Sequence, residues 1–225
     1  MSSFHQTLLE NTRPERSELL ALPVIRSALN GTLSRAQYLA FLGQAYHHVR
    51  HTVPLLMACG SRLPRHCGWL QAAIAEYIEE EIGHEQWILD DVRASGGNDD
   101  KVRTSAPWIE TEAMVAYAYH QIDRANPVGF FGMVLVLEGT SVAVASQVAD
   151  ALQRALQLPR SAFTYLTSHG NLDQAHAAFF ENLMNRVEDA ADQQAILHCA
   201  KSFYRLYGGI FRALAAQGRP ADERR

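Results

Sequence analysis

Apolar residues recur every three to four positions along most of the chain, and no segment keeps an alternation of period two. The first spacing is typical of helices with one buried face, whereas the second would indicate half-buried strands. The pattern therefore predicts an all-α protein. We expect helices at residues 22–30, 34–60, 67–95, 108–124, 126–156, 162–188 and 190–217.

Capping and breaking residues locate several of these helix ends. Ser34 is followed three positions later by Gln37, the pattern of a capping box, so we expect a helix to begin there. Pro54 lies within the same run and should kink that helix, because proline has no backbone N–H. The polar, glycine-rich residues 95–100 predict a loop, and Pro127 suits the first turn of a helix.

The domain organisation is simple. The chain has 225 residues, 48% of them apolar, and contains no linker rich in Pro, Gly or Ser. A chain of this length can bury most of its apolar surface in one core. We therefore expect a single domain over residues 1–225, with residues 1–16 and 218–225 as flexible ends. About seven helices with short connections form a bundle, whose core is where such folds bind metals and cofactors.

Charge and cysteine spacing exclude several kinds of partner. A formal net charge of −4 provides no broad positive field for nucleic acid. Cys59, Cys67 and Cys199 are far apart and form no C-x-x-C pair, which predicts reduced, buried thiols and neither a disulfide framework nor a zinc knuckle. The first residues show no basic segment followed by an apolar stretch, so we expect a cytoplasmic protein.

Glu138 is the only charged residue between positions 128 and 146. A carboxylate in a buried helix is costly unless it is protonated, paired or bound to a cation. Pairing with an arginine or a hydroxyl is therefore an alternative to a metal. The run is long enough for a membrane span, but its three glycines, Thr140, Ser141 and Glu138 argue against one, and we expect no membrane partner.

A second candidate motif is Glu81-x-x-His84. On a helix this spacing places the two side chains about 60° apart on adjacent turns, so that both can reach one ion. Carboxylate and imidazole at this spacing are the ligands of di-iron bundles. The alternative is an acidic, solvated helix face with an incidental histidine, and Glu80 also lies about one turn before His84.

A third candidate motif is His169-x-x-x-Asp173-x-x-His176. These three positions fall within about 60° of one another on a helix, over two turns. Gly170 leaves open whether His169 lies inside the helix or at its cap. The alternative to a metal-binding motif is a polar helix face with two incidental histidines. The three motifs together offer three carboxylates and three imidazoles, a mixed set that suits iron or manganese better than thiolate-preferring metals.

The segment from Pro23 to Val49, with Asn30-Gly31-Thr32-Leu33 and Phe41-Leu42-Gly43-Gln44-Ala45-Tyr46, resembles the opening of TenA, PqqC and CADD-like proteins. The resemblance extends over residues 20–215 and implies the heme-oxygenase-like fold. Leu137-Glu138-Gly139 and the 169–176 motif resemble the last two ligand motifs of the heme-oxygenase-like non-heme iron oxidases, and Glu81-x-x-His84 resembles the first.

By this resemblance the protein is an enzyme, an oxidoreductase that binds one or two Fe(II) ions and activates O2 to act on a small organic molecule. Amines, amino acids and fatty acids are all compatible substrates. We expect a homodimer, with Glu81, His84, Glu138, His169, Asp173 and His176 as the metal ligands. The aromatic residues Tyr46, Tyr77, Phe130 and Phe131 are candidate walls of the substrate pocket, with ordinary core packing as their alternative role.

The chain also departs from related patterns. The TenA Gln-Asp-Tyr motif reads Gln44-Ala45-Tyr46 here, no cysteine lies near Glu138, and the late glutamate is missing around Tyr207, so thiaminase chemistry is disfavoured. For a heme ligand near the first helix the chain offers only His5. Residues 34–60 contain no Asp or Glu. If a second metal is bound, the ligands that this segment can offer are therefore its histidines, His47, His48 and His51. Of these, His47 and His51 lie one turn apart and could face the core, or all three could be packing residues.

Two other functions stay open at this point. One is a metal-free enzyme of the PqqC type, in which the histidines act as acids and bases. The other is a binding or regulatory protein on the same fold.

Overall fold

The computed structural model describes the backbone of residues 3–217 and the side chains of residues 3–168 and 177–217. All its regular elements are helical, which confirms the predicted class, but they are more numerous than the expected seven or so. The α-helices are α1 (Phe4–Asn11), α2 (Arg13–Leu20), α3 (Pro23–Leu29), α4 (Arg35–Val49), α5 (Thr52–Arg62), α6 (Leu70–Glu81), α7 (His84–Ala94), α8 (Asp99–Thr104), α9 (Ile109–Arg124), α10 (Phe131–Leu156), α11 (Thr164–Met184) and α12 (Ala190–Gln217). Short 3-10 helices cover Arg65–Cys67, Pro127–Phe130 and Arg160–Ala162.

Local signals placed some helix ends correctly. The Ser34 hydroxyl accepts a hydrogen bond from the backbone N–H of Gln37, and the Gln37 side chain accepts one from the Ser34 backbone, which completes the predicted capping box. The last helix, α12, begins at the predicted Ala190 and is helical to Gln217, the last described residue.

The helix predicted over residues 34–60 is two helices. In a continuous helix the carbonyl of Arg50 would accept from residue 54, but Pro54 has no N–H and its ring would clash with that carbonyl. The chain instead leaves α4 at Val49 and begins α5 at Thr52. Pro54 then lies in the first turn of α5, where no backbone partner is needed.

The helix predicted over residues 67–95 is also interrupted. Ile82 has an extended backbone and Gly83 has φ +91°, so α6 ends at Glu81 and α7 begins at His84. A left-handed φ is accessible to glycine at little cost. Glu81 and His84 therefore lie at the facing ends of two helices, and not one turn apart on one helix.

Two further regions differ from the expectation. Residues 3–16, expected to belong to a flexible end, form α1 and the beginning of α2. Helix α1 packs against α11 and α12, and its Leu8 is fully buried. Part of the loop predicted at 95–100 begins α8, capped by Asn98. The other expected flexible end, residues 218–225, lies outside the described residues.

Helix α10 lies at the centre of the bundle, packed against α3, α11 and α12. It belongs to the stretch Pro127–Leu156, the one part of the described chain long and apolar enough to cross a membrane. More than half of its most apolar window is buried inside the fold, and the core helix of a soluble protein passes the same test.

The side chain of Asp91, on α7, caps the first turn of α11. Its carboxylate is fully buried and accepts hydrogen bonds from the backbone N–H groups of Thr164 (2.9 Å) and Tyr165 (2.8 Å). These groups have no partner within the helix, as in any first turn. Burial outweighs these hydrogen bonds and raises the pKa of Asp91 from 3.8 to about 6.

Substituting Asp91→Ala should lower the free energy of unfolding by about 1–2 kcal/mol at neutral pH, as the loss of a helix cap does. The folded protein binds a proton at Asp91 more readily than the unfolded chain between about pH 4 and pH 6, so this group contributes less stability as pH rises through that range. The cost of the substitution should thus be larger at about pH 5 than at about pH 7. Urea denaturation at both pH values measures it, and a cost that increases with pH would contradict the assignment.

Candidate metal centre

Glu81 and His84 form the most clearly defined pair of the site. The Nδ1 atom of His84 lies 3.0 Å from Oε2 of Glu81. The His84 side chain is buried and stacks on Trp87 with a centroid distance of 3.9 Å, which fixes the plane of the imidazole. Glu80, the neighbouring candidate, is exposed. The break at Gly83 therefore brings together the two donors that the sequence motif proposed, in a geometry the motif did not predict.

Glu138 lines the same cavity as Glu81. Helix α10 supplies Glu138 and the end of α6 supplies Glu81, while His48 reaches the cavity from α4. The Glu138 side chain is partly buried. The remaining lining residues are Val49, Thr52, Leu56, Tyr77, Phe130, Met133, Val134, Leu137, Ser141, Tyr165 and Tyr207.

The side chains of His169, Asp173 and His176 lie outside the described residues. The backbone of α11 is helical from Thr164 to Met184, so position 169 is inside the helix and not at its cap. This helix packs against α7, which begins with His84, and against α10, which carries Glu138.

The three histidines of the first core helix have different surroundings. His47 lies 3.0 Å from the hydroxyl of Ser105, and His51 lies 3.3 Å from that of Tyr119. Burial, together with the positive charge of Arg50, lowers the pKa of both imidazoles. Neither lines the cavity, whereas the buried His48 does, with its ring edge-to-face on Tyr207. Helix spacing had pointed to His47 and His51 as the pair that could face the core, so the position of His48 at the cavity corrects that expectation.

Two of the four aromatic residues predicted to form the pocket walls line the cavity, and the other two do not. Tyr77 and Phe130 line the cavity. Phe131 is fully buried in the core, and Tyr46 packs beside His47 and Arg50. Neither of the latter two belongs to the residues that line the cavity.

An apolar chamber adjoins this cavity, a feature that the sequence did not reveal. The two spaces share Ser141, Tyr165 and Tyr207, so they are neighbours along α10. Tyr207 packs on His48 on one side and on Phe211 on the other. The chamber is lined further by residues of α3, α4, α10, α11 and α12 and of the connection between α3 and α4, namely Val24, Ile25, Ala28, Leu33, Tyr38, Phe41, Thr140, Val144, Ala145, Val148, Leu152, Leu166, Phe211 and Leu214.

The described donors fit an iron ion by their chemistry. Glu81 and Glu138 offer carboxylate oxygens and His84 an imidazole nitrogen, and this mixture is typical of non-heme iron and manganese sites in helical bundles. No cysteine lines this cavity.

Comparison with known proteins identifies the family. A family model described as "Iron-containing redox enzyme" matches residues 39–208, about three quarters of the chain. The chain belongs to this family. The matched range of the iron-containing redox enzyme family includes the candidate ligands on α6, α7, α10 and α11. No curated protein matches the chain.

Solved structures show which fold this iron-containing redox enzyme family member adopts. A domain of unknown function with a heme oxygenase-like fold from Shewanella denitrificans superposes with a TM-score of 0.86 at 22% identity, over 98% of this chain and 95% of that one. A TenA homologue from Pseudomonas syringae gives 0.81 at 12% identity (94% and 92% covered). Heme oxygenase-1 from the cyanobacterium Synechocystis, in complex with heme, gives 0.76 at 13% identity (96% and 94% covered). The predicted heme-oxygenase-like fold is thereby confirmed.

Proposed function

We propose that this protein is a non-heme iron oxidase or oxygenase that uses O2 to oxidise a small organic molecule. The observation that carries the proposal is a cavity lined by both Glu81 and Glu138, with His84 lying 3.0 Å from Glu81, in a member of the iron-containing redox enzyme family. The donor set combines carboxylates with imidazole, which suits iron or manganese better than metals that prefer thiolates.

In this proposal Glu81, His84 and Glu138 hold the iron together with His169, Asp173 and His176 of α11. The iron, when bound, supplies the activation of O2. The protein's own residues keep the donors in place: Trp87 stacks on the His84 ring, and Glu81 lies beside its Nδ1 atom. Packing and hydrogen bonds that fix ligand orientation usually matter for metal affinity nearly as much as the ligands do.

The adjoining apolar chamber suggests how a substrate would be oriented. The reacting part would lie beside the carboxylates, and an apolar part would extend past Tyr207 towards Ala145 and Val148. Each buried methylene of such a substrate would contribute about 0.8 kcal/mol to binding. We therefore expect substrates that combine a polar group with an apolar chain or ring.

Substituting Ala145→Phe should fill the chamber and raise KM for substrates with a long apolar part by about tenfold or more, since each lost methylene costs about 0.8 kcal/mol. Iron content should not change, because Ala145 does not line the cavity of Glu81 and Glu138. The matched control is Val142→Phe, on the exposed side of the same helix. Equal KM values for wild type and Ala145→Phe across substrates of increasing length would exclude the chamber as a binding site.

The oxidase proposal is tested by loading the purified chain with Fe(II) without oxygen and then mixing it with O2 in a stopped-flow spectrophotometer. We expect at least one iron per chain and a transient absorbance that the iron-free protein does not give. Iron well below one per chain, or no reaction with O2, would contradict the proposal.

The likeness to a TenA homologue makes a metal-free enzyme the second candidate function. Under that alternative His48 and Tyr207, which face each other at the cavity, would move protons for an organic substrate. Turnover that persists after chelation of all metal would favour it, whereas turnover that is lost on chelation and restored by Fe(II) would favour the oxidase.

A further inference from the structure

A second group of metal-binding side chains lies outside the cavity described above. His66 and Cys67, in the 3-10 helix before α6, meet Asp192 in the first turn of α12. One donor atom from each residue lies within 4.8 Å of the other two. His66 Nε2 is 2.7 Å and Cys67 Sγ is 3.2 Å from the same oxygen, Oδ2 of Asp192. Asp192 is 125 residues from Cys67, so no local motif could have indicated the group.

The aspartate is oriented by its surroundings. Its other oxygen, Oδ1, accepts a hydrogen bond of 2.7 Å from the side-chain amide of Asn126. Asp189 accepts hydrogen bonds from the backbone N–H groups of Ala191 and Asp192, which fixes the start of α12. Although burial acts to raise it, the hydrogen bonds from Asn126, His66 and Cys67 lower the pKa of Asp192. Oδ2 is therefore presented to His66 and Cys67 as a carboxylate oxygen.

The site is accessible from solvent. Cys67 and Asp192 are each only 3% exposed, but the His66 side chain is 56% exposed and a surface cavity opens beside it. Glu188 and Asp189 line the same cavity and add negative charge. Arg186, the cation of this cavity, stacks on Trp69 with a distance of 4.1 Å from Cζ to the ring centroid. None of these lining residues belongs to the cavity of Glu81 and Glu138.

The donor types are those of a zinc site. Zinc takes thiolate, imidazole and carboxylate ligands at about 2.0–2.3 Å, which places tetrahedral donors about 3.4–3.6 Å apart. The observed contacts to Asp192 would have to lengthen by less than about 1 Å. The His66 side chain is 56% exposed, so few neighbours oppose its adjustment. Cys67 in the metal-free protein is a thiol, because burial and Asp192 raise its pKa to about 12. The cation would displace that proton to solvent and bind the thiolate.

We propose that His66, Cys67 and Asp192 bind a zinc-type divalent cation, with Asn126 orienting the aspartate. The fourth position is left to water or to a carboxylate of the adjoining cavity. Such an ion would join the connection between α5 and α6 to the start of α12. Through Asn126 it would also join them to the segment that leads into α10, the helix that carries Glu138.

The test is a titration of the full-length, reduced, iron-free chain with Cd²⁺, followed by ultraviolet absorption of the cadmium–thiolate bond. We expect a band that saturates at one Cd²⁺ per chain and is competed away by Zn²⁺. Cys67→Ser should abolish the band, and His66→Ala should weaken binding by at least about tenfold, as loss of a metal-site residue does. Glu81→Ala should keep the band, because its cavity contains no thiol.

The other two buried cysteines provide matched controls, since neither Cys59 nor Cys199 lies in this group. Their serine variants should keep the band if they fold. His66→Ala removes a largely exposed side chain, so we expect it to fold. Zn²⁺ should raise the melting temperature of the wild type more than that of this variant, because the donors around Glu81 and Glu138 can take Zn²⁺ in both. Absence of a band in the wild type, or an undiminished band in Cys67→Ser, would overturn the proposal.

Discussion

Substituting Glu138→Ala should abolish stoichiometric iron binding by the anaerobically reconstituted protein. Glu138 is the carboxylate that α10 contributes to the cavity shared with Glu81. Loss of even a residue that only orients a metal ligand lowers affinity by about 10- to 100-fold, and loss of a ligand should cost at least as much. Iron content is measured by a colorimetric chelator after gel filtration, and the affinity by titration with Fe(II) under nitrogen.

The controls separate loss of a ligand from loss of the fold. Glu138→Gln keeps the size of the side chain and should lose iron as well, because an amide oxygen is a weaker ligand than a carboxylate. Glu80→Ala removes an exposed carboxylate beside Glu81 and should bind iron as the wild type does. Full iron content in Glu138→Ala, with unchanged far-ultraviolet circular dichroism, would remove Glu138 from the site.

Substituting Gly132→Ala should destabilise the protein by about 1–3 kcal/mol or more, the usual cost of overpacking a core. A Cβ atom at this position would lie 2.5 Å from both the backbone nitrogen of Ala200 and the carbonyl oxygen of Ile196. Both contacts are to the backbone of α12, which cannot move aside as a flexible side chain could. The helix that carries Glu138 would be pushed away from α12, and denaturation with urea measures the loss.

Gly139, on the same helix, provides the matched control. Among the described side chains and backbone, a Cβ there would meet no atom within 4 Å apart from the helix's own backbone and its immediate neighbours. Gly139→Ala should therefore raise the free energy of unfolding by about 0.5–1 kcal/mol, since alanine favours the helix over glycine. If the two substitutions changed stability equally, close packing of α10 on α12 would not be the reason that Gly132 is a glycine.

The helical class and several boundaries could be predicted because their causes are local. The capping box of Ser34 and Gln37 and the apolar period of α12 need no knowledge of distant residues. Pro54 also indicated that the helix over residues 34–60 would be disturbed. The residues at which α4 ends and α5 begins depend on which backbone carbonyl loses its hydrogen-bond donor. The order of α1 could not be predicted in this way, because this helix packs against α11 and α12, whose arrangement the sequence does not reveal.

The sequence could predict those metal donors of the candidate site that lie close together in the chain. Glu81 and His84 were found by their spacing, although the turn at Gly83 replaces the helical geometry behind that spacing. The role of His48 as the cavity-lining histidine depends on how α4 packs in the bundle, whereas the one-turn spacing had pointed to His47 and His51. The site at Cys67 and Asp192 depends on two segments far apart in sequence, so only the fold brings it together.

A crystal grown without oxygen and soaked in Fe(II) tests most directly whether α6, α7, α10 and α11 form one iron site. Anomalous scattering at the iron edge locates the ion independently of any assumed ligand. We predict a peak within bonding distance of Glu81, His84 and Glu138, at the end of the cavity that Tyr77 and Phe130 line. A fully occupied peak elsewhere with none at these side chains, or no peak at saturating iron, would contradict the account.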